Sequence, residues 1–423
     1  MKKIIPKENI DCKVRIPGSK SITHRALIAA SLAKGKSRLK SFLSCEDILY
    51  TAGALKKMGT TVEIDADTAV VHGKGGIFPA FNDMTTIDLG NSGTSYRLLL
   101  SVAALSERGT FEFTGSERMQ KRPVEYLVNA LKSIGVSIDY VNESGFPPVL
   151  IKASGIKGGK VRIPGNISSQ YISSLLLSGP YTKTGLEIEV TGELVSRPYI
   201  DLTLDTMKAF GINVNNSNYQ SFFIAPGQIY KAQKEYTVEG DASSASYFWG
   251  AAAVTGGTVK TENIHPLKTR QGDIKFLEIL DRMGCSVKRH DDYVTVRGGL
   301  LSGIKADMGS MPDMAPTLAV IALFAKGETT IYNVSHLKHK ESDRIADTAN
   351  ELRRIGGRVQ ELDDGLIIYG GEALRGAEID PHDDHRLAMG FSMAGLRVPG
   401  IVIKNEGCVN KSFPAFWELW KTL

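Results

Sequence analysis

The sequence predicts a mixed α/β protein built from six internal repeats. Two series of short motifs recur along the chain, with the same spacing and in phase with each other. Members of the first series lie 72 to 76 residues apart. Each repeat is therefore large enough to form a folding unit, whereas solenoid repeats have only about 20 to 50 residues. The alternative, a non-repeating α/β chain with ordinary glycine caps, is disfavoured by two series in phase. We expect six units of the order turn–helix–strand–helix–strand–strand.

The first series marks the end of an amphipathic helix in five of the repeats. Each copy combines apolar residues with one or two basic residues and a closing glycine, which commonly ends a helix in the left-handed conformation. Basic residues in the last turn also interact favourably with the helix dipole. The copies are ALKKMG ending at Gly59, ALKSIG at Gly135, TMKAFG at Gly211, ILDRMG at Gly284 and ELRRIG at Gly356.

Two strands are expected after each of these helices. Alternating polar and apolar residues follow the glycines, as at Thr61–Asp65 and at residues 136–140. A second alternating run usually comes next, as at residues 69–72 and at Tyr293–Arg297. Such alternation is typical of half-buried strands, so each repeat is expected to contribute a pair of them.

The second series consists of polar turns that precede helices rich in small residues. The sixth repeat lacks a glycine of the first series because the sequence ends in a helix expected over residues 414–423. The turns are at residues 17–21, 90–94, 164–168, 240–244, 309–313 and 381–385, and the helices after them stop near Gly35, Gly109, Gly179, Gly256, Gly327 and Gly400.

Length and composition allow two or three domains and exclude several classes of protein. A chain of 423 residues exceeds one ordinary hydrophobic core, and its 42% of hydrophobic residues excludes wholesale disorder. There is no run of 18 apolar residues, so we expect no membrane span, and the first 20 residues have no features of a signal or transit peptide. The polar stretch GQIYKAQKEY, residues 227–236, is a candidate crossing between two domains.

Charge and cysteine content favour a cytoplasmic protein with small ligands. The 51 basic and 46 acidic residues leave a net charge of +5, which is too small and too dispersed to predict nucleic-acid binding. The cysteines are too few and too scattered for a disulfide framework or a zinc site, and we expect a reducing cytosol. They are Cys12, Cys45, Cys285 and Cys408.

Cations lie beside several of the polar turns. A turn at a helix N-terminus offers free N–H groups and the positive end of the helix dipole, although a lone Ser-rich turn is more often a simple cap. Equivalent placement of cations in repeated units favours several phosphate or carboxylate ligands over a solvated charged face. The cations are Lys20, Arg25, Arg97, Arg122, Arg197, Arg386 and Lys411, with Lys338, Lys340 and Arg344 grouped beside Glu341 and Asp343.

Common nucleotide and hydrolase motifs are absent from the sequence. It contains no P-loop, no dinucleotide-binding G-x-G-x-x-G and no G-x-S-x-G nucleophile elbow. The segment PHDDHR, residues 381–386, resembles a set of metal ligands, but it lacks the spaced third ligand of a zinc site. Asp384 is equally well explained as a helix cap and His385 as a residue lining a site.

Ten segments spread over nearly the whole chain resemble the signature motifs of the 5-enolpyruvylshikimate-3-phosphate synthase family. Any one of them is weak, but ten in the family's order are highly specific. They are PGSKSITHR (17–25), LGNSGTSYR (89–97), RPV (122–124), SSQ (168–170), SRPY (196–199), GDASSASYF (240–248), PDM (312–314), KESDR (340–344), DHRLAMGF (384–391) and NKSFPAF (410–416).

The resemblance implies two domains, each made of three βαβαββ units arranged as an inside-out α/β barrel. It implies a first, discontinuous domain at 1–20 and 236–423 and a second at 21–235, with helix N-termini facing a shared cleft. The implied reaction transfers the enolpyruvyl group of phosphoenolpyruvate to the 5-hydroxyl of shikimate 3-phosphate and releases phosphate. These two small molecules are the expected partners, with no metal, no cofactor, no nucleic acid and no membrane, and we expect a monomer.

The resemblance also implies which residues hold the substrates. Both substrates carry a phosphate and a carboxylate, so convergent cations fit them. For phosphoenolpyruvate they are Lys20, Gly93, Arg122, Gln170, Arg344, Arg386 and Lys411. For shikimate 3-phosphate they are Lys20, Ser21, Arg25, Ser168, Ser169, Gln170, Ser196, Tyr199, Asp313 and Lys340.

Three residues are implied to be catalytic. Asp313 would take the proton of the attacking hydroxyl, Glu341 would protonate the methylene carbon of the donor and later remove a proton from the methyl, and Lys20 would assist departure of phosphate. Addition followed by elimination needs such an acid and base, and fixed cations can supply the electrostatics without a metal. Without the resemblance, Asp313 is better explained as a helix cap and Glu341 as a partner of Arg344.

The chain departs from the family pattern at three positions. His336 stands where many relatives have Asn. His339 stands where Val is frequent. Leu98 follows Arg97 where many relatives have Pro, which affects how the helix beginning at Gly93 is held.

Other functions are disfavoured by particular segments. UDP-N-acetylglucosamine enolpyruvyltransferases share the implied fold and donor but carry a reactive Cys in a loop whose counterpart here, TGSERMQKRP (114–123), has none. A nucleic-acid enzyme related to RNA 3′-terminal phosphate cyclase would need an adenylylation site and a larger basic face. A non-catalytic repeat scaffold would not need carboxylates and cations beside equivalent turns.

Overall fold

The order strand–helix–strand–helix–strand–strand recurs along the chain in the computed structural model, which describes residues 1–8, 10–76 and 78–423. Within these residues there are five complete copies and a shortened sixth, which confirms the predicted α/β class. The chain divides into unit 1, Met1–Pro17 with Glu239–Leu423, and unit 2, Gly18–Val238. The described residues contain no helix that is both long enough and apolar enough to cross a bilayer.

The first three complete copies occupy the chain up to residue 224. A 3-10 helix, Gly179–Tyr181, follows the last helix of small residues in this part. The strands and α-helices are β1 (Lys2–Lys3), β2 (Asp11–Arg15), α1 (Lys20–Leu32), β3 (Lys34–Lys40), α2 (Glu46–Lys57), β4 (Thr61–Asp65), β5 (Thr68–Lys74), β6 (Met84–Asp88), α3 (Gly93–Ala103), β7 (Gly109–Thr114), α4 (Glu117–Gln120), α5 (Glu125–Ser133), β8 (Ser137–Tyr140), β9 (Val149–Ala153), β10 (Gly159–Pro164), α6 (Ser169–Ser178), β11 (Leu186–Thr191), α7 (Arg197–Ala209), β12 (Asn215–Ser217) and β13 (Ser221–Ile224).

The remaining copies follow from residue 236 onwards. Four 3-10 helices lie among them, at Gly272–Lys275, Pro312–Met314, Ser335–His339 and Glu406–Lys411. The strands and α-helices are β14 (Tyr236–Thr237), α8 (Ala242–Thr255), β15 (Thr258–Glu262), α9 (Phe276–Met283), β16 (Ser286–Arg289), β17 (Tyr293–Arg297), β18 (Lys305–Asp307), α10 (Ala315–Ala322), β19 (Gly327–Tyr332), α11 (Arg344–Arg354), β20 (Arg358–Leu362), β21 (Gly365–Gly370), β22 (Glu378–Ile379), α12 (His385–Gly395), β23 (Val402–Ile403) and α13 (Phe416–Trp420).

The four-stranded sheets share one topology. A first strand runs parallel to a second, and the second runs antiparallel to the fourth of its repeat, with the third strand on the outside. In the copies that begin at β6, β10 and β18 the first strand comes from the same repeat, whereas the first strands of the other two complete copies are exchanged, so that β14 pairs with β3 and β2 pairs with β15. In the second repeat Met84 pairs with Thr110 across the parallel pair and Gly109 with Ala153 across the antiparallel pair. Unit 2 holds the sheets β14-β3-β5-β4, β6-β7-β9-β8 and β10-β11-β13-β12, and unit 1 holds β2-β15-β17-β16, β18-β19-β21-β20 and the three-stranded β22-β23-β1.

Small residues let the central helices of unit 1 pack closely. Every residue of α8 is buried, and this helix packs against α10 and α12. A Cβ added at Gly250 would lie 2.2 Å from Met393 Sδ, so the absence of a side chain there lets α8 and α12 approach. A helix that is apolar on all sides belongs in a core, which explains the small-residue composition of the second series.

The five glycines of the first series end their helices as predicted. Each has a positive φ between 84° and 110°, the conformation that only glycine adopts without strain. The second series is less regular, because Gly179 has φ −49° and continues into a 3-10 turn. The last helix is also shorter than expected over 414–423, since it spans Phe416–Trp420.

The polar segment 227–236 packs within unit 2. The Tyr230 ring is buried, and its hydroxyl donates a 3.0 Å hydrogen bond to the Leu177 carbonyl. The backbone N–H of Lys231 donates a 2.8 Å bond to the carbonyl of Phe210. Strand β14 then pairs with β3, and unit 2 ends at Val238.

Candidate active site

The residues singled out in the sequence fall into two sets. Most stand at or next to helix N-termini, where free N–H groups and the helix dipole favour anions. Unit 2 carries Lys20, Ser21, Arg25, Gly93, Arg122, Ser168, Ser169, Gln170, Ser196 and Tyr199, and unit 1 carries Asp313, Lys340, Glu341, Arg344, Arg386 and Lys411.

In unit 1 a cluster of carboxylates and guanidiniums surrounds Arg344, whose side chain is 2% exposed. Its Nη1 lies 2.8 Å from Asp313 Oδ1, its Nη2 2.9 Å from Glu341 Oε2 and its Nε 2.6 Å from Asp384 Oδ2. The other oxygen of Asp313 accepts a 2.8 Å hydrogen bond from Arg386 Nη2. We call Asp313, Glu341, Arg344, Asp384 and Arg386 the Arg344 cluster. The residues to which the resemblance assigns the catalytic base (Asp313), the catalytic acid (Glu341) and two of the donor-binding cations (Arg344 and Arg386) therefore lie together.

Two capping aspartates place the arginines in the first turns of their helices. Asp343 accepts bonds of 3.2 Å from the N–H groups of residues 345 and 346 and so begins α11 at Arg344. Asp384 accepts a 2.8 Å bond from the Arg386 N–H and so begins α12. Asp384 also accepts from Arg344 with both oxygens, at 2.6 and 3.2 Å. The cap of α12 thereby fixes the guanidinium of α11.

Asp313 does not cap the helix that follows it. It lies in the 3-10 turn Pro312–Met314, and α10 begins at Ala315 without a side-chain cap. Its side chain is 18% exposed and turns instead to the two arginines. The capping explanation for this residue is therefore wrong, whereas Glu341 does pair with Arg344 as its alternative explanation required.

Burial and opposite charges shift the acidities in the Arg344 cluster. Burial alone would raise the pKa of Asp313, but the charges of Arg386 and Arg344 outweigh it and hold that pKa well below its usual range. Burial would lower the pKa of Arg344, but the three carboxylates of the cluster raise it. Burial likewise opposes the raised pKa of Arg386, for which the charge of Asp313 is the main cause. Asp313 is thus a carboxylate and a weak base while both guanidiniums hold it.

Other implied residues of unit 1 lie beside this cluster along the chain. Lys340 follows the 3-10 helix Ser335–His339, and its charge also lowers the pKa of Asp313. Lys411 ends the 3-10 helix Glu406–Lys411 and is 6% exposed. Burial, together with the Lys340 charge, lowers the pKa of His336 to about 4, so this imidazole is neutral at pH 7. His385 is buried at the start of α12.

In unit 2 Lys20 is held by a carboxylate that the sequence did not single out. Its Nζ lies 2.9 Å from Asp47 Oδ2, and their side chains are 12% and 3% exposed. The Asp47 carbonyl accepts a 3.0 Å bond from Ser95 Oγ. Lys20 at the start of α1 is therefore tied through the start of α2 to α3.

Gly93 leaves room for the guanidinium of Arg122. A Cβ at Gly93 would lie 2.5 Å from Arg122 Nη2 and 2.6 Å from its Cζ. Arg122 Nη1 donates to the carbonyl and side-chain oxygens of Asn91, at 3.2 and 3.3 Å. Because Gly93 has no side chain, the Arg122 guanidinium can lie against the first turn of α3.

Gln170 links the starts of α3 and α6. Its Oε1 accepts a 2.7 Å bond from Arg97 Nη1, and its Nε2 donates a 3.0 Å bond to Thr94 Oγ1. Ser168 caps α6 by accepting from the Gln170 N–H at 3.3 Å, and Ser169 is buried in its first turn.

Arg25 is 1% exposed and uses its guanidinium to join helices. Its Nε donates to Thr203 Oγ1 at 2.7 Å, its Nη1 to the Ser21 carbonyl at 2.8 Å and its Nη2 to the Tyr199 carbonyl at 3.0 Å. Burial lowers the pKa of Arg25 to about 10, which leaves it charged at neutral pH. Arg25 therefore orders the starts of α1 and α7.

Ser196 precedes α7 in a left-handed conformation, with φ 55°. A non-glycine residue there is strained, and its side chain makes no capping hydrogen bond that would compensate. Such strain recurs at ligand-binding sites, which is consistent with an implied role for Ser196. Tyr199 follows in the first turn and packs beside Ile22 and Leu202.

Several residues that hold the site residues in place could not be recognised as such from the sequence. Asp47 resembles an ordinary acid in the first turn of a helix, and Asn91 an ordinary turn residue. For Asp384 the sequence left a helix cap and a place in a metal-like group equally open; it caps α12, and its second role at Arg344 depends on tertiary contact. Tyr247, whose hydroxyl accepts a 3.2 Å bond from Arg386 Nη1, lies in the middle of an apolar helix.

The PHDDHR segment forms no metal site in the part of the chain that the structure describes. No group of three or more His, Cys, Asp and Glu side chains there is arranged to hold a metal ion. Asp384 is engaged with Arg344 and the α12 N-terminus, and Asp383 is hydrogen-bonded by Asn405.

Comparison with known sequences gives one family for the whole chain. The family model described as EPSP synthase (3-phosphoshikimate 1-carboxyvinyltransferase) matches residues 4–420. The 3-phosphoshikimate 1-carboxyvinyltransferase of Sulfurovum sp. (strain NBC37-1) is 44% identical over 420 residues, which cover 99% of this chain and 98% of the relative. The enzyme of the same name from Aliivibrio salmonicida (strain LFI1238) is 43% identical with the same coverage.

Solved structures with the same fold support this relationship. EPSP synthase from Acinetobacter baumannii aligns with a TM-score of 0.82 and 31% identity, covering 99% of this chain and 97% of that one. The enolpyruvyl transferase NikO from Streptomyces tendae aligns with a TM-score of 0.79 over 99% of this chain and 96% of its own, and at 18% identity it shares the fold alone. From its full-length sequence matches, the chain belongs to the EPSP synthase family.

Proposed function

We propose that the protein transfers the enolpyruvyl group of phosphoenolpyruvate to the 5-hydroxyl of shikimate 3-phosphate and releases phosphate. The observation that carries this proposal is the Arg344 cluster, in which two guanidiniums share the carboxylate of Asp313 beside Glu341. The relatives named as 3-phosphoshikimate 1-carboxyvinyltransferases over nearly the full chain support it independently.

The cations of both units fit the charges of the two substrates. Arginine binds carboxylate and phosphate with two parallel hydrogen bonds, and buried arginines bind them more strongly than exposed ones. We assign phosphoenolpyruvate to Lys20, Gly93, Arg122, Gln170, Arg344, Arg386 and Lys411. We assign shikimate 3-phosphate to Lys20, Ser21, Arg25, Ser168, Ser169, Gln170, Ser196, Tyr199, Asp313 and Lys340.

Donor binding would activate Asp313. Arg344 and Arg386 each donate a 2.8 Å bond to one of its oxygens, and this pairing keeps its proton affinity low. A ligand carboxylate that takes over these guanidiniums neutralises their charge and leaves Asp313 less stabilised. The pKa of Asp313 then rises, so the base becomes competent when the donor is present.

The proposed steps conserve protons and bonds. In the addition, Asp313 takes the proton of the 5-hydroxyl, the oxygen bonds to C2 of phosphoenolpyruvate, and Glu341 protonates C3 to form a methyl group. In the elimination, Glu341 takes back a proton from that methyl, the bond from C2 to the phosphate oxygen breaks, and Lys20 stabilises the departing phosphate. The proton held by Asp313 leaves with the phosphate, so that both carboxyl groups return to their starting states.

The test is phosphate release from phosphoenolpyruvate with each of two acceptors, in the absence of added metal or nucleotide. We expect release with shikimate 3-phosphate and none with UDP-N-acetylglucosamine. Release with the UDP-sugar alone, or with neither acceptor, would contradict the proposal.

Gly93→Ala is expected to raise the KM for phosphoenolpyruvate about tenfold, the effect of losing roughly one charge-assisted hydrogen bond. The new methyl would occupy space within 2.6 Å of the Arg122 guanidinium, which must move. Gly53→Ala, inside α2 with nothing within 4 Å of its Cβ, is the matched control. Equal KM values for the two variants would mean that Gly93 takes no part in donor binding.

We also propose that unit 1 and unit 2 are the two domains of the enzyme. We further propose that the protein is a monomer and that it is located in the cytoplasm. All four cysteines are unbridged in the structure, which is consistent with a reducing compartment. Light scattering on the purified protein tests the monomer, for which a mass of 45.9 kDa is expected.

A further inference from the structure

We propose that Asp273 is a positioning residue for Arg386, and that its protonation controls how strongly Arg386 holds the anionic donor. The assignment of that donor rests on the proposed function. Asp273 lies outside the motifs that carry the family resemblance, and none of the roles assigned above uses it.

Asp273 is buried next to the start of α8. It lies in the 3-10 helix Gly272–Lys275 and is 5% exposed. Its Oδ2 accepts a hydrogen bond from Ser243 Oγ, whereas its Oδ1 accepts none from any protein group in the described residues. An ionised carboxylate in this position would have one oxygen without a protein donor, so the site favours the neutral acid.

One face of α8 connects Asp273 to the Arg344 cluster. Ser243 and Tyr247 are four residues apart and therefore lie on the same side of the helix. Ser243 contacts Asp273, and Tyr247 accepts the 3.2 Å bond from Arg386 Nη1. Arg386 Nη2 in turn donates to Asp313, while its buried Nε makes no hydrogen bond within the described part of the protein.

The surroundings of Asp273 make it titrate near neutral pH. Burial and the charge of Asp313 raise its pKa to about 7, against the opposing effects of Arg386 and the Ser243 hydroxyl, and Asp241 raises it further. These groups come from the 3-10 turn of Asp313, from α12 and from the start of α8. Helix α9 turns apolar residues inward and exposes its charged residues Glu278, Asp281 and Arg282, so it adds no facing charge.

Protonation of Asp273 reduces the negative charge around the Arg386 guanidinium. Below its pKa, Asp273 is neutral and the charge of Arg386 is balanced by Asp313 and, less strongly, by Asp241. Above its pKa, Asp273 adds another carboxylate that draws on the same guanidinium, and an incoming anion is bound less well. By linkage, a bound anion raises the pKa of Asp273, so affinity for the anion falls as pH increases through this range.

The first test measures the KM for phosphoenolpyruvate between pH 5.5 and 8.5 in the wild type and in Asp273→Asn. Because the phosphate groups titrate in the same range, the quantity compared is the ratio of the two KM values at each pH. We expect the wild-type KM to rise relative to that of the variant by about three- to tenfold across neutrality, as for a change of half to one pH unit in the pKa on binding.

Two further variants separate this role from a merely structural one. Ser243→Ala removes a donor that stabilises the charged carboxylate, so the rise in KM should move to higher pH. Because this change is conservative, it also carries the test if Asp273→Asn does not fold. Glu278→Gln, which neutralises an exposed acid on α9, should reproduce the wild-type profile.

Urea unfolding provides a readout that does not depend on substrates. The pKa of Asp273 is higher in the folded chain than in the unfolded one, so the folded state holds more protons between about pH 4 and pH 7. Wild-type stability should therefore lose this contribution as pH rises through that window, and Asp273→Asn should lack the loss.

The two readouts fail independently. If the wild type does not use phosphoenolpyruvate at all, the proposed function is wrong, while the unfolding series still reports on Asp273. A KM ratio that does not vary with pH, or the same pH dependence of unfolding in wild type and Asp273→Asn, would overturn the inference.

Discussion

Asp313→Asn is expected to lower kcat by about a hundredfold or more, the usual effect of losing a general base. The amide keeps the shape of the side chain but cannot take the proton of the attacking hydroxyl. Glu341→Gln should cause a loss of similar size, since it removes the group that moves the proton at C3. Binding of shikimate 3-phosphate, measured by calorimetry, should change much less than turnover in both variants.

Asp363→Asn is the matched control for these substitutions. Asp363 is an exposed acid between β20 and β21, and its neutralisation should leave turnover near the wild-type value. If Asp313→Asn and Glu341→Gln also retained near-normal kcat, the assigned base and acid would both be wrong.

Asp384→Ala is expected to destabilise the fold by about 3 kcal/mol, because it leaves the buried Nε of Arg344 without its acceptor and removes the N-cap of α12. Asp384 is fully buried, accepts two hydrogen bonds from Arg344, and caps α12. Unfolding by urea measures the loss.

Glu361→Ala removes a carboxylate from a surface pair and serves as the comparison. Glu361 lies 2.7 Å from Arg353, and both side chains are more than a third exposed. Such pairs contribute only about 0 to 1 kcal/mol, so this variant should unfold almost as the wild type does. If both variants lost the same free energy of unfolding, the buried interactions of Asp384 would contribute no more to stability than a surface ion pair does.

The repeat architecture could be predicted because it depends on local backbone chemistry. A glycine at the end of a helix is a local requirement, and Gly59 and Gly284 both adopt the positive φ that the sequence predicted. Alternation of side chains is also local, and the expected strands Thr61–Asp65 and Tyr293–Arg297 are present with those bounds.

The partners within the site could not be predicted because they depend on tertiary contact. Asp384 and Arg344 are 40 residues apart, and nothing in either motif indicates that one holds the other. The effect of Gly93 was also only half foreseen. The resemblance implied that Gly93 contacts the donor, and the structure adds that the Arg122 guanidinium occupies the space that a Cβ at this position would need.

The most direct test of the addition–elimination mechanism is deuterium incorporation during turnover in D2O. If Glu341 protonates C3 and later removes a proton, a freely rotating methyl group forms between the two steps, and solvent deuterium must appear in the vinyl group of the product. Proton NMR of the product formed by the wild type should therefore show deuterium at that carbon, and the residual product of Glu341→Gln should show little. A wild-type product without deuterium at the vinyl carbon would mean that no methyl intermediate forms, and it would contradict the roles given to Glu341 and to the Arg344 cluster.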